Sequence, residues 1–158
     1  MQDNNKKNVF RIYGIFLTIM LFFSFTLIGL IKISNNSWNT GLKNGISEVL
    51  RTNTPDVWVL GNPVRLNSGF STSAGLFELR NKDSAEKYYA IIIRTPTIYG
   101  HIPAVFIYSK NKGAEFAGYS NVKGKVKTIL EGNSTDLAVT FWIERIPEII
   151  EKALEENQ

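Results

Sequence analysis

Residues 12–31, IYGIFLTIMLFFSFTLIGLI, form an apolar run of 20 positions that holds no charge. As a helix rising 1.5 Å per residue it spans about 30 Å, the thickness of the hydrocarbon core of a bilayer. Thirteen of its residues are Leu, Ile or Phe. Together they favour insertion by about 4–8 kcal/mol. A protein of 158 residues could hardly cover such a helix on every side, so the run reads as a membrane span. Arg11 and Lys32 bracket it, where long basic side chains reach back to the headgroups. A cleaved signal peptide has a shorter apolar region and a small-residue cleavage site. Here the run leads instead into Leu30-Ile31-Lys32-Ile33-Ser34, which favours a retained anchor. The expected organisation is a tail over 1–11, the anchor over 12–31, a polar linker over 32–37 and a folded domain over 38–158.

Beyond the anchor, Trp38, Leu42, Ile46, Val49 and Leu50 recur at helical spacing and predict an amphipathic helix. Gly41 and Gly45 weaken it by about 1 kcal/mol each, unless they permit close packing. Thr54-Pro55 reads as an N-cap and a first helical position. It predicts a short helix over 56–60, stopped by Gly61 at positive φ, with Pro63 opening a strand.

From residue 64 the pattern changes to strands separated by Gly, Asn, Ser and Lys. The expected strands are 64–66, 75–80, 87–95, 102–108, 114–119 and 125–130. The segments at 88–93 and 104–108 are apolar on both alternating faces, so they should be central and covered on both sides. Gly75–Arg80 mixes Phe77 and Leu79 with Glu78 and Arg80, as a half-exposed strand does. An antiparallel meander with helices packed against it, an α+β fold, fits this order.

The tail carries two periodicities. Leu137, Phe141, Trp142, Arg145, Ile146, Ile149, Ile150, Ala153 and Leu154 fit a helix capped by Ser134 or Thr135, whereas Leu137, Val139, Phe141 and Ile143 also alternate as a strand would. Helix over 135–156 is the expectation, with a kink or restart at Pro147 because proline costs a helix interior about 3 kcal/mol.

Charge sharpens the picture of the anchor. Lys6, Lys7, Arg11 and Lys32 against Asp3 put +3 on the first 33 residues and leave +1 of the total +4 for the rest. The basic character thus belongs to the flanks of the span, not to a nucleic-acid-binding face. Three basic side chains precede the span, and Lys32 and Lys43 follow it closely. This bias sets the N-terminus in the cytoplasm and the domain outside, most simply at a bacterial cytoplasmic membrane, with the mitochondrial inner membrane as the alternative. The chain has no cysteine, which excludes disulfides, cysteinyl zinc sites and iron–sulfur clusters.

Candidate chemistry is sparse. The one histidine, His101 in Tyr99-Gly100-His101-Ile102-Pro103, has no neighbouring acidic cluster and makes a poor metal site. With Ser71, Ser73 and Tyr99 it defines the one small-ligand or enzymatic site that can be drawn across strand ends. No G-x-S-x-G elbow is present. Gly118 to Lys125 resembles a phosphate loop superficially, but the glycine spacing is too long, and Val126 stands where Ser or Thr must hold magnesium. Glu144, Glu148, Glu151 and Glu155 read as a solvated helix face. Lys123, Lys125 and Lys127 alternate on an expected edge strand. There they protect against edge pairing, or, as a weaker reading, meet anionic lipid.

A single span, an amphipathic helix, Leu60-Gly61-Asn62-Pro63-Val64 and then Ser68-Gly69-Phe70 and Ser73-Ala74-Gly75-Leu76 follow one another. This order resembles the cytochrome c oxidase assembly factor 1 family over roughly residues 10–125. That family is related to an accessory subunit of the mitochondrial presequence translocase and has bacterial members. The resemblance implies a non-catalytic, membrane-tethered domain that attends a larger membrane-protein complex, with no catalytic, cofactor or metal residues to carry over. The partners expected are that complex and, through residues 12–31, the lipid bilayer.

Overall fold

The computed structural model describes residues 3–53, 57–66, 74–132 and 137–157. The chain forms two compact units, Met1–Trp38 and Asn39–Gln158. Helix α1 (Asp3–Asn53) runs through both.

In the first unit the apolar run is helical, and its side chains over residues 13–31 are exposed. Its serine and threonine hydroxyls are satisfied locally. Thr18, Ser24 and Thr26 each donate a 2.9 Å hydrogen bond to the carbonyl four residues earlier, so none needs water. The expected linker over 32–37 does not break the helix. Its Ser and Asn residues are poor helix formers, but they are flanked on both sides by strongly helical segments.

The second unit is built on five strands, β1 (Trp58–Val64), β2 (Ala74–Asn81), β3 (Lys87–Thr97), β4 (Gly100–Ser109) and β5 (Gly113–Tyr119). They pair in sequence order and all antiparallel, the expected meander. Alternation sorts the side chains. Phe77, Leu79, Ala90, Ile92 and Val105 face Ile46, Val49 and Leu50 of α1. Leu76, Ile91, Ile93, Ala104 and Phe106 face Leu130 of α2 (Gly124–Gly132) and Val139, Ile146 and Ile150 of α3 (Leu137–Glu156). The central strands are therefore covered on both faces, as their doubly apolar sequences require.

Glycine lets α1 lie close on the sheet. A Cβ on Gly45 would fall 2.6 Å from Ser120 Oγ, and one on Gly75 would fall 2.6 Å from Leu42 Cδ1. Gly118, at φ +144°, leaves room for Val49 and Asn53. Beside it, β4 and β5 slip register between Val105 and Phe106, leaving Ala117 as the extra residue of a bulge. Asn53, at the last turn of α1, donates its amide to the Ala117 carbonyl that the bulge frees.

Three local expectations are corrected. Residues 58–60 are strand, not the end of a helix, and Gly61 has no positive φ. Trp58 and Leu60 alternate onto the α1 face, with Leu60 opposite Leu79, and that burial outweighs the helix-stop reading of Leu-Gly-x-Pro. The proposed cap Thr54-Pro55 lies outside the described residues. Residues 125–130 are helix α2, not a strand. Asn121 and Gly124, both at positive φ, turn the chain off the sheet, and Val126 and Leu130, one helical turn apart, then pack on the core. Pro147 sits inside a continuous α3. The helix persists across it because Ile146 and Ile150 are both completely buried. Its expected caps, Ser134 and Thr135, lie outside the described residues.

Candidate interaction surface

Among the described residues nominated for chemistry, none lies in an enclosed site. Tyr99 and His101 lie together at the β3–β4 hairpin, with His101 opposite Pro96 on the paired strand. Both side chains are exposed. The hairpin is shaped by Thr97, whose hydroxyl accepts from Tyr99 N–H and donates to the Gly100 carbonyl. Gly100 takes φ +103°, a conformation that favours glycine. Ser71 and Ser73 lie outside the described residues. Among the described residues no three His, Asp or Glu side chains converge as a metal site would require. The lysine pattern is also rearranged. On a helix Lys125 and Lys127 point about 200° apart, so the alternating basic face does not exist.

One small pocket lies among the described residues of the second unit. Set between Glu48 and Thr52 of α1, Asn121 and Val122 after β5, and Lys127 of α2, it measures about 30 Å³. That accommodates a water molecule or two, against the roughly 300 Å³ or more of a small-molecule site. Two phenols lie nearer the core. Tyr108, its phenol raised above the usual range first by burial, donates 3.1 Å to Glu151 Oε1 and ties α3 to β4. Tyr89 is raised by burial and then by the charge of Glu78. Both phenols therefore stay protonated at neutral pH.

Helix α3 offers a surface instead. Val139, Ile146, Ile150 and Ala153 are its buried stripe. Leu137, Phe141 and Arg145 follow at intervals of four residues on the opposite side. Leu137 is 86% exposed and Phe141 47% exposed. The Arg145 guanidinium stands 5.0 Å from the centre of the Phe141 ring, and Trp142 meets the same ring edge-on at 5.3 Å. An aromatic residue with an arginine over its face is a combination enriched where proteins meet one another. Sequence periodicity marked these residues as helical without separating those that serve the core from those that face outward. The sign was available in their spacing, since Leu137 and Phe141 lie about 140–180° from Ile146 and Ile150, and Arg145 about 100–140°.

The chain belongs to a family described as "Uncharacterised protein", whose model matches residues 48–156. The match takes in the whole sheet, α2 and α3, and leaves the span outside. No curated protein and no solved structure matches the chain.

Proposed function

We propose that the chain is a single-pass membrane protein whose folded unit binds a membrane-protein complex and catalyses no reaction. Such a role accords with the resemblance to the cytochrome c oxidase assembly factor 1 family and extends to assistance in assembling a respiratory or other membrane complex. The observation that carries the reading is where unburied apolar surface lies. It is concentrated on the span and, in the folded unit, includes the Leu137–Phe141 face, while both faces of the sheet are closed and the α1–α2 pocket is water-sized. A retained anchor holds the unit at the bilayer, where binding partners are confined to two dimensions. The basic flank puts the N-terminus in the cytoplasm and residues 39–158 on the far side.

Crosslinking in native membranes, followed by mass spectrometry, tests the reading. The expected product joins the chain to an integral membrane protein and is lost with Phe141→Asp. Recovery of the chain only as a free monomer would overturn it. Protease added to intact spheroplasts should digest the folded unit and leave a fragment holding the span. Release of a soluble protein starting near Ser34 would show that residues 12–31 are a signal peptide, and full protection would reverse the orientation.

A further inference from the structure

The helix does not stop where its apolar run stops. It continues through Lys32, Ser34, Asn35, Asn36 and Ser37 to Trp38, where the first compact unit ends. Because this stretch is helical, depth can be read from residue number. Tyr13 and Trp38 are 25 residues apart, about 38 Å of helix. That exceeds the roughly 30 Å hydrocarbon core and falls just short of the 40–45 Å that includes the headgroup regions. Tyr13 is 70% exposed and Trp38 40% exposed, each close to a basic residue, Arg11 or Lys32. Tyr and Trp are the residues that settle at the two membrane–water interfaces.

Two details fix the far end. Ile33 is 66% exposed and lies beyond Lys32, so apolar surface persists past the first charge while the lysine stem reaches outward. Trp38 stands seven residues past Ile31, a rise of about 10 Å, against a headgroup layer of roughly 5–8 Å. Side chains on a helix lean toward its N-terminus. The indole of Trp38 therefore reaches back by part of a turn, into that layer.

Resting on the retained-anchor reading above, we infer that residues 32–38 are a collar embedded in the lipid headgroups, with Trp38 as its outer aromatic anchor. Ser, Asn and Lys side chains hydrogen-bond phosphate and glycerol oxygens there.

The chain lacks cysteine, so single cysteines report position cleanly. Full-length Phe22→Cys, Ser37→Cys and Asp83→Cys would each carry an environment-sensitive fluorophore. Each would be reconstituted in phosphatidylcholine vesicles containing some phosphatidylglycerol. Lipids bearing a nitroxide on the headgroup or near the end of the acyl chain then report depth. The label at 22 should be quenched most by the acyl-chain nitroxide, the label at 37 by the headgroup nitroxide, and the label at 83 by neither. Adding Trp38→Ala should weaken headgroup quenching at 37 and leave 22 unchanged. If 37 behaves like 83 while 22 remains quenched, the collar is wrong and the anchor stands. If 22 also escapes quenching, the anchor reading fails and the collar with it.

Discussion

Two stretches of α1 carry comparable apolar side chains under opposite rules. Over residues 13–31 large apolar side chains are exposed all round the helix, as with Phe22 at 70% and Phe25 at 71%. Over residues 42–50 one side is buried, with Ile46 at 0%, Val49 at 5% and Leu50 at 5%, while Lys43, Ser47 and Glu48 are exposed. As a membrane span the first stretch would need only apolarity and length, because lipid fits itself to any outline. The second needs shape, because a sheet does not. Glycine shows the difference. Gly14, Gly29 and Gly41 have nothing within 4 Å of where a Cβ would stand, while Gly45 meets Ser120 and Ile92.

Substitutions divide along that line. Ile46→Ala removes a completely buried side chain and should cost the folded unit about 2–5 kcal/mol, read as a lowered denaturation midpoint. Membrane association should not change. Phe22→Lys should do the reverse. A lysine at mid-span opposes insertion by about 3 kcal/mol, so carbonate-resistant membrane association should fall while the unfolding midpoint of the folded unit holds. If both variants changed both readouts, the division of the helix would be wrong. Gly118→Ala tests shape alone. Its φ of +144° disfavours a side chain, and the new Cβ would stand 2.9 Å from Asn53 Nδ2 and 3.0 Å from Val49 Cγ1. A loss of more than about 1 kcal/mol is expected. Gly41→Ala, with open space around it, should instead stabilise the helix by up to about 1 kcal/mol. Equal effects of the two alanines would remove the distinction between open and packed glycines.

The same contrast explains which features could be read from the sequence. A candidate span needs one local property, and twenty uncharged, mostly apolar positions state it outright. Strands β2 to β5 were legible because their alternation and the turns at 81–84 and 111–113 act within a few residues. Residues 58–60 were not. Leu-Gly-x-Pro carries local signals for stopping a helix, and what makes it strand is Leu79 across the sheet, a contact 19 residues away. For α2, alternating Lys125 and Lys127 hid the Val126–Leu130 spacing, which becomes decisive only once the core offers it a surface. The Leu137–Phe141–Arg145 face shares that limit. Periodicity announces an amphipathic helix, but which apolar residues lie outside its buried stripe depends on where the sheet is. Binding of a partner leaves no motif of the kind that a metal or a nucleophile demands, so Tyr99 and His101 drew notice for their chemistry and Phe141 did not.

The smallest expected effect separates the folded unit from the apolar run by pH. In the folded unit Tyr88 donates a 2.8 Å hydrogen bond to Glu86 Oε2. This bond first, then Ser109, Asn111 and the charge of Lys112, outweighs partial desolvation and holds the carboxyl below its usual range. A carboxylate depressed on folding contributes stability that is present above its unfolded pKa. That contribution is lost as pH falls through the folded value. Unfolding midpoints should therefore decline on acidification below the ordinary carboxylate range. Tyr88→Phe keeps the ring that meets Trp58 edge-on at 5.0 Å and deletes only the donor. The variant should be less stable than the parent at neutral pH, and the gap should narrow as Glu86 protonates in both. Amide or carboxyl NMR titration of Glu86 should show its pKa rising in the variant. The span has no ionisable group between Tyr13 and Lys32, so its retention in membranes should not follow this pH dependence. A gap between Tyr88→Phe and the parent that stays constant at every pH would show that Tyr88 acts through packing against Trp58 and not through the carboxylate.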